Sequence, residues 1–261
     1  QTGIINFREL TQRLAERFQA INSDNEIHLG KAVRGIRRDA AGYELSTPAD
    51  RFRSPYLITC GGLHSDRLAR MEGLKPASRI LGFRGDYYEL VPAAQHKVRN
   101  LIYPVPNPQF PFLGVHFTRM IEGGVECGPN AVFAFAREGY AKTALDLGDT
   151  AEAFGFKGTW QFFGRHWRFG LDEYRRAFSK KRFLRTLQRL IPALEAADLR
   201  PGRSGVRAMA LSPAGEMLDD FVFAGHEHAI HVLNAPSPAA TACLAIGEHI
   251  AGMAAERFGF D

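Results

Sequence analysis

The chain has 261 residues, 45% of them apolar, with 33 Lys and Arg against 28 Asp and Glu, a net charge of +5. The apolar share excludes a disordered chain and supports one large domain or two modest ones. The charge excess is small for a nucleic-acid binder and suits a small anionic substrate at least as well. Cys60, Cys127 and Cys243 lie far apart, which excludes a disulfide framework and a cysteine metal site and points to a reducing, cytoplasmic setting. No apolar run approaches the roughly 18 residues of a membrane span, and no signal peptide opens the chain. The first residue is Gln1, so an upstream segment is expected to be missing.

Phe7, Leu10, Leu14, Phe18 and Ile21 recur at spacings of 3, 4, 4 and 3, which predicts a helix over 6–21, with Asn6 and Glu9 as a capping-box-like start. Short strands are expected at Ile27–Leu29, Ala32–Arg38, Tyr43–Thr47 and Arg51–Arg53, and an apolar strand at Tyr56–Cys60 running into Gly61-Gly62 and a short helix. Residues 79–130 read as strand-rich, with candidates at Leu81–Leu90, Leu101–Val105, Phe112–Arg119 and Gly124–Gly128. Helices are expected at about 136–146 and 171–191. Strands follow at Arg203–Ala210 and Ile230–Leu233. A closing helix runs from Ser237 to Phe258, with Ser237 as its cap and Pro238 at its first position. This order predicts an α/β (α+β) chain in two blocks. One joins 1–75 to 203–261, and the other, 76–202, is a mixed antiparallel sheet with helices.

Several segments carry chemistry. Gly61 and Gly62 after a buried strand let a phosphate or ribose approach the backbone; a tight turn is the plain alternative. The run Asn234-Ala235-Pro236-Ser237-Pro238-Ala239-Ala240-Thr241 offers small side chains where a ligand could lie against the chain, or a simple helix cap. In Gly114–Arg119, alternation puts His116 between Gly114 and Thr118 on one face, as a proton acceptor or a structural histidine, with Arg119 on the other. Arg84, Asp86 and Tyr88 share a strand face; Arg84 and Tyr88 could hold a carboxylate, or Arg84 could simply pair with Asp86. Arg207, between small neighbours, has room for a bidentate carboxylate contact, or is a surface arginine. The aromatic and basic stretch 154–189 suits an anionic membrane surface, single-stranded nucleic acid, or a helix pair with one solvated basic side.

Taken in order, Leu101–Pro106, Phe110–Arg119 and Gly124–Ala131 resemble the L-2-hydroxyglutarate oxidases and dehydrogenases of the D-amino-acid-oxidase-like FAD superfamily. Gly62–Arg67, Phe83–Leu90, Arg203–Ala208 and Asn234–Thr241 fit the same family. One departure is large: no G-x-G-x-x-G occurs in the chain, where the family opens on a βαβ unit carrying that phosphate-binding fingerprint. The first block is therefore expected to be a partial FAD/NAD(P)-binding-like domain.

The resemblance implies FAD as cofactor, no metal, and oxidation of L-2-hydroxyglutarate to 2-oxoglutarate. It implies flavin contacts from Val33, Gly61, Gly62, Asn234 and Pro236–Thr241 (Pro236, Ser237, Pro238, Ala239, Ala240, Thr241). It implies Arg207 on the carboxylate beside the reacting carbon; Arg84 and Tyr88 are the candidates for the distal carboxylate, and His116 is the candidate general base. Electrons would pass to oxygen or a membrane quinone, with no nucleic-acid partner and with peripheral inner-membrane contact through 154–189. The alternatives are a glycerol-phosphate or amino-acid oxidase of the same superfamily, and a truncated, catalytically silent binding protein.

Overall fold

The computed structural model describes residues 3–105 and 114–260. In chain order the elements are α1 (Phe7–Ile21), β1 (Gly35–Asp39), β2 (Gly42–Ser46), β3 (Arg51–Ser54), β4 (Leu57–Thr59), α2 (Ser65–Met71), β5 (Arg79–Leu90), β6 (His116–Arg119), β7 (Val125–Gly128), β8 (Val132–Phe133), α3 (Leu147–Phe154), α4 (Lys157–Ala177), α5 (Lys180–Leu187), β9 (Leu199–Leu211), β10 (Val222–His226), β11 (Ala229–Asn234) and α6 (Cys243–Phe258). They form two compact units, Gly3–Ser78 with the chain from Leu218 onward, and Arg79–Met217.

In the first unit β1, β2 and β3 form an antiparallel meander, and β10, β11 and β4 form a second sheet in which β11 and β4 run parallel. Ile36, Tyr43, Leu57 and Ala229 make one small core, with Val33 and Leu68 packed against it. Ile230, Ala254 and Phe258 make another. Asn6 caps α1, accepting from the Arg8 and Glu9 backbone N–H groups at 3.1 and 3.3 Å. Among the described residues α1 buries none of its own. Ile27–Leu29 is not a strand, and Val33 lies in the extended approach to β1.

The second unit is organised by β5, a strand of 12 residues whose two faces feed two cores. At its start Leu81 and Phe83 join Phe133, Phe162 and Leu211. At its end Leu90 joins Phe117, Cys127, Phe183 and Leu187 on the opposite face. Strand alternation produces this diagonal split. β9 pairs antiparallel with β5 along nearly its whole length. Arg203–Leu211, assigned from the sequence to the first block, therefore sits in the second unit.

Other expectations fail for local reasons. Residues 136–146 form no helix. Their backbone makes isolated turns, such as Gly139 N–H to Ala136 C=O at 3.0 Å, and a bridge in which Asp146 N–H donates to Phe135 C=O at 3.0 Å. Leu101–Val105 holds only the Ile102–Phe117 bridge. The helix read at 171–191 is two, α4 and α5, parted at Phe178-Ser179 because Ser179 caps α5. Ser237 is not a helix cap: Ala239–Ala242 is a single 3-10 turn and α6 starts at Cys243. Phe112 and Leu113 lie outside the described residues, and β6 is the part of that expected strand that is described.

Candidate active site

In the first unit, β4 and β11 lie side by side in register, Leu57 against Ala229 and Thr59 against His231. Parallel strands present their carboxyl ends together, which is where open α/β sheets bind ligands. Here those ends lead into Cys60-Gly61-Gly62 and into Asn234–Thr241, so the two segments singled out in the sequence meet at one sheet edge. A Cβ on Gly61 would lie 2.5 Å from Leu68 Cδ1 of α2, so glycine lets the turn pack down. Gly62 has φ +53° and open space where a Cβ would be, a conformation that favours glycine. Ala235 and Ser237–Ala242 expose only small side chains or proline. A backbone left uncovered in this way suits a flat conjugated cofactor. Asn234 is different: it is buried, and its Nδ2 donates to the Leu218 and Asp220 carbonyls at 3.0 and 2.8 Å. Its amide group fastens the 218–220 loop.

Beneath that edge lies a polar chain with no counterpart in the sequence reading. The Thr59 hydroxyl lies 2.9 Å from His231 Nδ1, and His231 Nε2 lies 3.1 Å from Glu72 Oε2. The His231 and Glu72 side chains are fully buried, and His226 Nε2 approaches the same carboxylate at 3.5 Å. Burial lowers the His231 pKa and Glu72 opposes the shift. Thr59 and Glu72 lie 172 and 159 residues from His231, so no spacing could have announced the group.

In the second unit the rows across the sheet settle which side chains share a face. His116 lies opposite Gly128, and Phe117 opposite Cys127, while Cys127 lies opposite Tyr88. Tyr88 thus faces the core, packing on Phe183 with ring centroids 4.9 Å apart, and Tyr87 shares the other face with His116. Phe83 lies opposite Arg207, so Arg207 belongs to that same face. The Arg207 guanidinium is close enough to Tyr87 to pull its hydroxyl pKa down against the upward push of burial. The Tyr103 ring stacks on His116 at 4.5 Å, and the Tyr87 ring stands edge-on to it at 6.3 Å. The site face therefore brings together His116 and Arg207, both anticipated, with Tyr87 and Tyr103, which were not. Tyr87 was legible as the odd-numbered neighbour of Phe83 and Gly85 on β5. Tyr103 had no periodic signal.

Burial lowers the pKa of His116, its hydrogen bond to the Gly114 carbonyl raises it, and the Arg207 charge lowers it further. The ring is thereby biased to the neutral form. A neutral imidazole carries one N–H and leaves its other ring nitrogen as an acceptor.

Arg84 and Tyr88 are not brought to this group. Arg84 is buried; its Nε donates to Asp86 Oδ1 at 2.9 Å and its Nη1 to the Ala141 carbonyl at 2.8 Å. Asn130 completes the cluster, donating Nδ2 to Asp86 Oδ2 at 3.1 Å and accepting the Asp86 N–H at 2.7 Å. This polar latch occupies the face of β5 opposite Arg207. A cavity of about 50 Å³ among Phe83, Phe133, Phe162, Phe163, Tyr174 and Met209 is almost wholly apolar and offers a dianion nothing. Among the described residues no cluster of His, Cys, Asp and Glu could hold a metal, and no helix is long and apolar enough to cross a membrane.

Comparison with known proteins supplies the remaining observation. The family described as DAO, FAD dependent oxidoreductase, matches residues 1–253. The chain is 43% identical over 259 residues to L-2-hydroxyglutarate dehydrogenase of Indibacter alkaliphilus, covering 99% of this chain and 64% of that protein. It is 43% identical over 250 residues to L-2-hydroxyglutarate dehydrogenase of Escherichia coli strain K12, covering 95% and 59%. Among solved structures it is similar to an L-alpha-glycerophosphate oxidase from Mycoplasma pneumoniae with FAD bound, with TM-score 0.61 and 16% identity over 88% of this chain and 50% of that one. At that identity the likeness is one of fold. The chain spans about three fifths of the length of these curated relatives.

Proposed function

The chain belongs to the FAD-dependent oxidoreductase (DAO) family, and from that premise we propose that it oxidises L-2-hydroxyglutarate to 2-oxoglutarate. Support comes from one arrangement, His116 and Arg207 on a single sheet face with Tyr87, in a chain 43% identical to proteins named for that activity.

Val33, Gly61, Gly62 and Pro236–Thr241 would hold FAD against uncovered backbone. FAD, when bound, supplies the hydride acceptor. Arg207 forks onto the carboxylate beside C2, where its planar pair of donors fixes orientation as well as charge. Tyr87 keeps Arg207 aimed by holding it from the side. His116 takes the proton of the 2-hydroxyl on its unprotonated ring nitrogen. Tyr103, stacked on the imidazole, keeps that nitrogen from turning away.

Electrons leave to oxygen or to a membrane quinone, and the reaction is placed in the cytoplasm or at the inner-membrane surface. Exposed Trp160, Trp167 and Phe178 beside exposed Arg165, Arg168 and Arg175 support a peripheral contact with anionic lipid.

The test is a substrate panel on FAD-saturated protein with a dye acceptor: L- and D-2-hydroxyglutarate, glycerol 3-phosphate and glycine. Turnover confined to L-2-hydroxyglutarate is the expected result. Preference for glycerol 3-phosphate or an amino acid overturns the proposal.

A further inference from the structure

The distal carboxylate of a dicarboxylate needs a partner, and the latch around Arg84 faces the wrong way to provide one. The face that carries His116 continues along the sheet. Thr118 lies opposite Glu126 on β7, and Glu126 lies opposite Glu89 on β5. Alternation therefore places Glu126 on the face of His116 and Tyr87. Its side chain is only 15% exposed, yet its sole ion-pair contact among the described residues is Arg203 Nε at 3.8 Å. Neighbouring Glu89, in contrast, is held by two hydrogen bonds from Arg200, at 2.7 and 3.1 Å.

Arg203 sits where β9 bulges. Asp86 lies opposite Ser204 but Tyr88 lies opposite Pro201, so β9 carries one residue more than β5. Such a bulge bends the strand and re-aims the side chains on it. The Arg203 side chain is 65% exposed and loosely attached, free to reorient. Between Arg203 and Arg207 stands Gly205, where an added Cβ would meet nothing within 4 Å. Two guanidinium groups thus flank the open position at Gly205, whose cross-strand neighbour Gly85 lies under Pro129.

We propose that Arg203 and Glu126 form the subsite for the second carboxylate of a dicarboxylate substrate, with Glu126 serving as the resting counter-ion of Arg203. The inference rests on the 2-hydroxy acid reading above. Arg203 turns from Glu126 to the incoming carboxylate. Glu126 then faces a like charge across a short gap and takes one proton from solvent, so that the two carboxyl groups share it in a hydrogen bond. Burial and Glu89 already push the Glu126 carboxyl above its ordinary range, against the pull of Arg203. The charged and titratable groups on its face are Arg203 from β9, Glu89 with its Arg200 partner and Tyr87 from β5, and, from β6, His116 two positions beyond the neutral Thr118, with Tyr103 stacked on His116 and its hydroxyl 3.3 Å from Thr118. A monocarboxylate leaves the Arg203–Glu126 pair in place.

The experiment is calorimetric binding of 2-oxoglutarate and of 2-oxobutyrate to FAD-saturated protein, in two buffers of different ionisation heat, between about pH 6 and 9. The difference between the two ligands should be about one proton taken up per 2-oxoglutarate, and 2-oxoglutarate affinity should fall by up to about tenfold per pH unit where that uptake is complete. Uptake at His116 would appear with both ligands and cancels in the difference. Glu126→Gln should keep 2-oxoglutarate binding, abolish the extra proton and flatten the pH dependence. Arg203→Ala should weaken 2-oxoglutarate about tenfold or more and leave 2-oxobutyrate unchanged. Arg203→Gln repeats the test if the alanine variant melts early. No difference in proton uptake between the two ligands, or an unchanged affinity ratio in both Arg203 variants, overturns the subsite. If neither keto acid binds the unaltered protein, the 2-hydroxy acid reading itself falls and this inference falls with it.

Discussion

Arg207 is the residue whose environment most constrains what it can do. It stands opposite Phe83 on β5, acts on the Tyr87 hydroxyl through its charge, and has the uncovered Gly205 two positions away on its own face. Arg207→Lys keeps the charge and loses the planar fork. The expected cost is about 1.5–3 kcal/mol in transition-state binding, the range for hydrogen bonds to charged groups. It should be read as a fall in kcat/KM for L-2-hydroxyglutarate with little change in melting temperature. Equal losses in stability and in kcat/KM per folded molecule would remove Arg207 from the site. His231 makes the contrasting case of a buried titratable group holding structure. Its pKa lies below the ordinary value of about 6.5 because burial disfavours the imidazolium. The unfolded chain takes a proton near that value while the folded chain resists. The stability is therefore fully present above about pH 6.5 and is lost as pH falls from there through the folded pKa. Chemical denaturation at about pH 7.5 and 5.5 should show that loss. His231→Gln should be less stable at the higher pH and lose less on acidification. Equal slopes in the two proteins would contradict the assignment.

Among the elements, β5 decides most of the second unit, and its reading from sequence was half sufficient. Alternation put Arg84, Asp86 and Tyr88 on one face, which the register bears out. What alternation cannot reveal is which face a partner strand will present. The Arg207 face turned out to be that of Phe83, Gly85 and Tyr87, a fact carried by the β5–β9 pairing across more than a hundred residues. Arg84 belongs to the latch with Asp86, Asn130 and the Ala141 carbonyl, and its removal leaves Asp86 buried without its cation. Arg84→Ala should cost about 3–5 kcal/mol, the range for breaking one side of a buried pair. The KM per folded enzyme should stay put. A raised KM at normal stability would restore Arg84 to the substrate. Helix starts were legible where a side chain caps, as at Asn6 of α1. They were not legible at α6, where a 3-10 turn absorbs Ala239–Ala242 before the helix begins without a side-chain cap.

At the scale of the whole molecule, the order of expected elements foresaw an α/β chain with an inserted sheet, and the ordered motifs pointed to a flavoenzyme family that matches residues 1–253. The meeting of Gly61-Gly62 with the Asn234–Thr241 run was not visible in either segment. It follows from the parallel pairing of β4 with β11, which joins the two ends of the described chain in one sheet. Turnover is a property of the whole chain, and its dependence on pH isolates the role of His116. Burial and Arg207 lower the pKa of His116, so the acidic limb of kcat/KM should lie below about pH 6.5. The measurement is flavin-normalised turnover of L-2-hydroxyglutarate between about pH 5 and 9 in the unaltered protein and in His116→Ala. In His116→Ala kcat should fall about 10²–10⁴-fold with flavin retained and the acidic limb flattened, because no imidazole remains to be protonated. Near-normal turnover per flavin in the alanine variant, or an acidic limb that persists unchanged, would contradict that role.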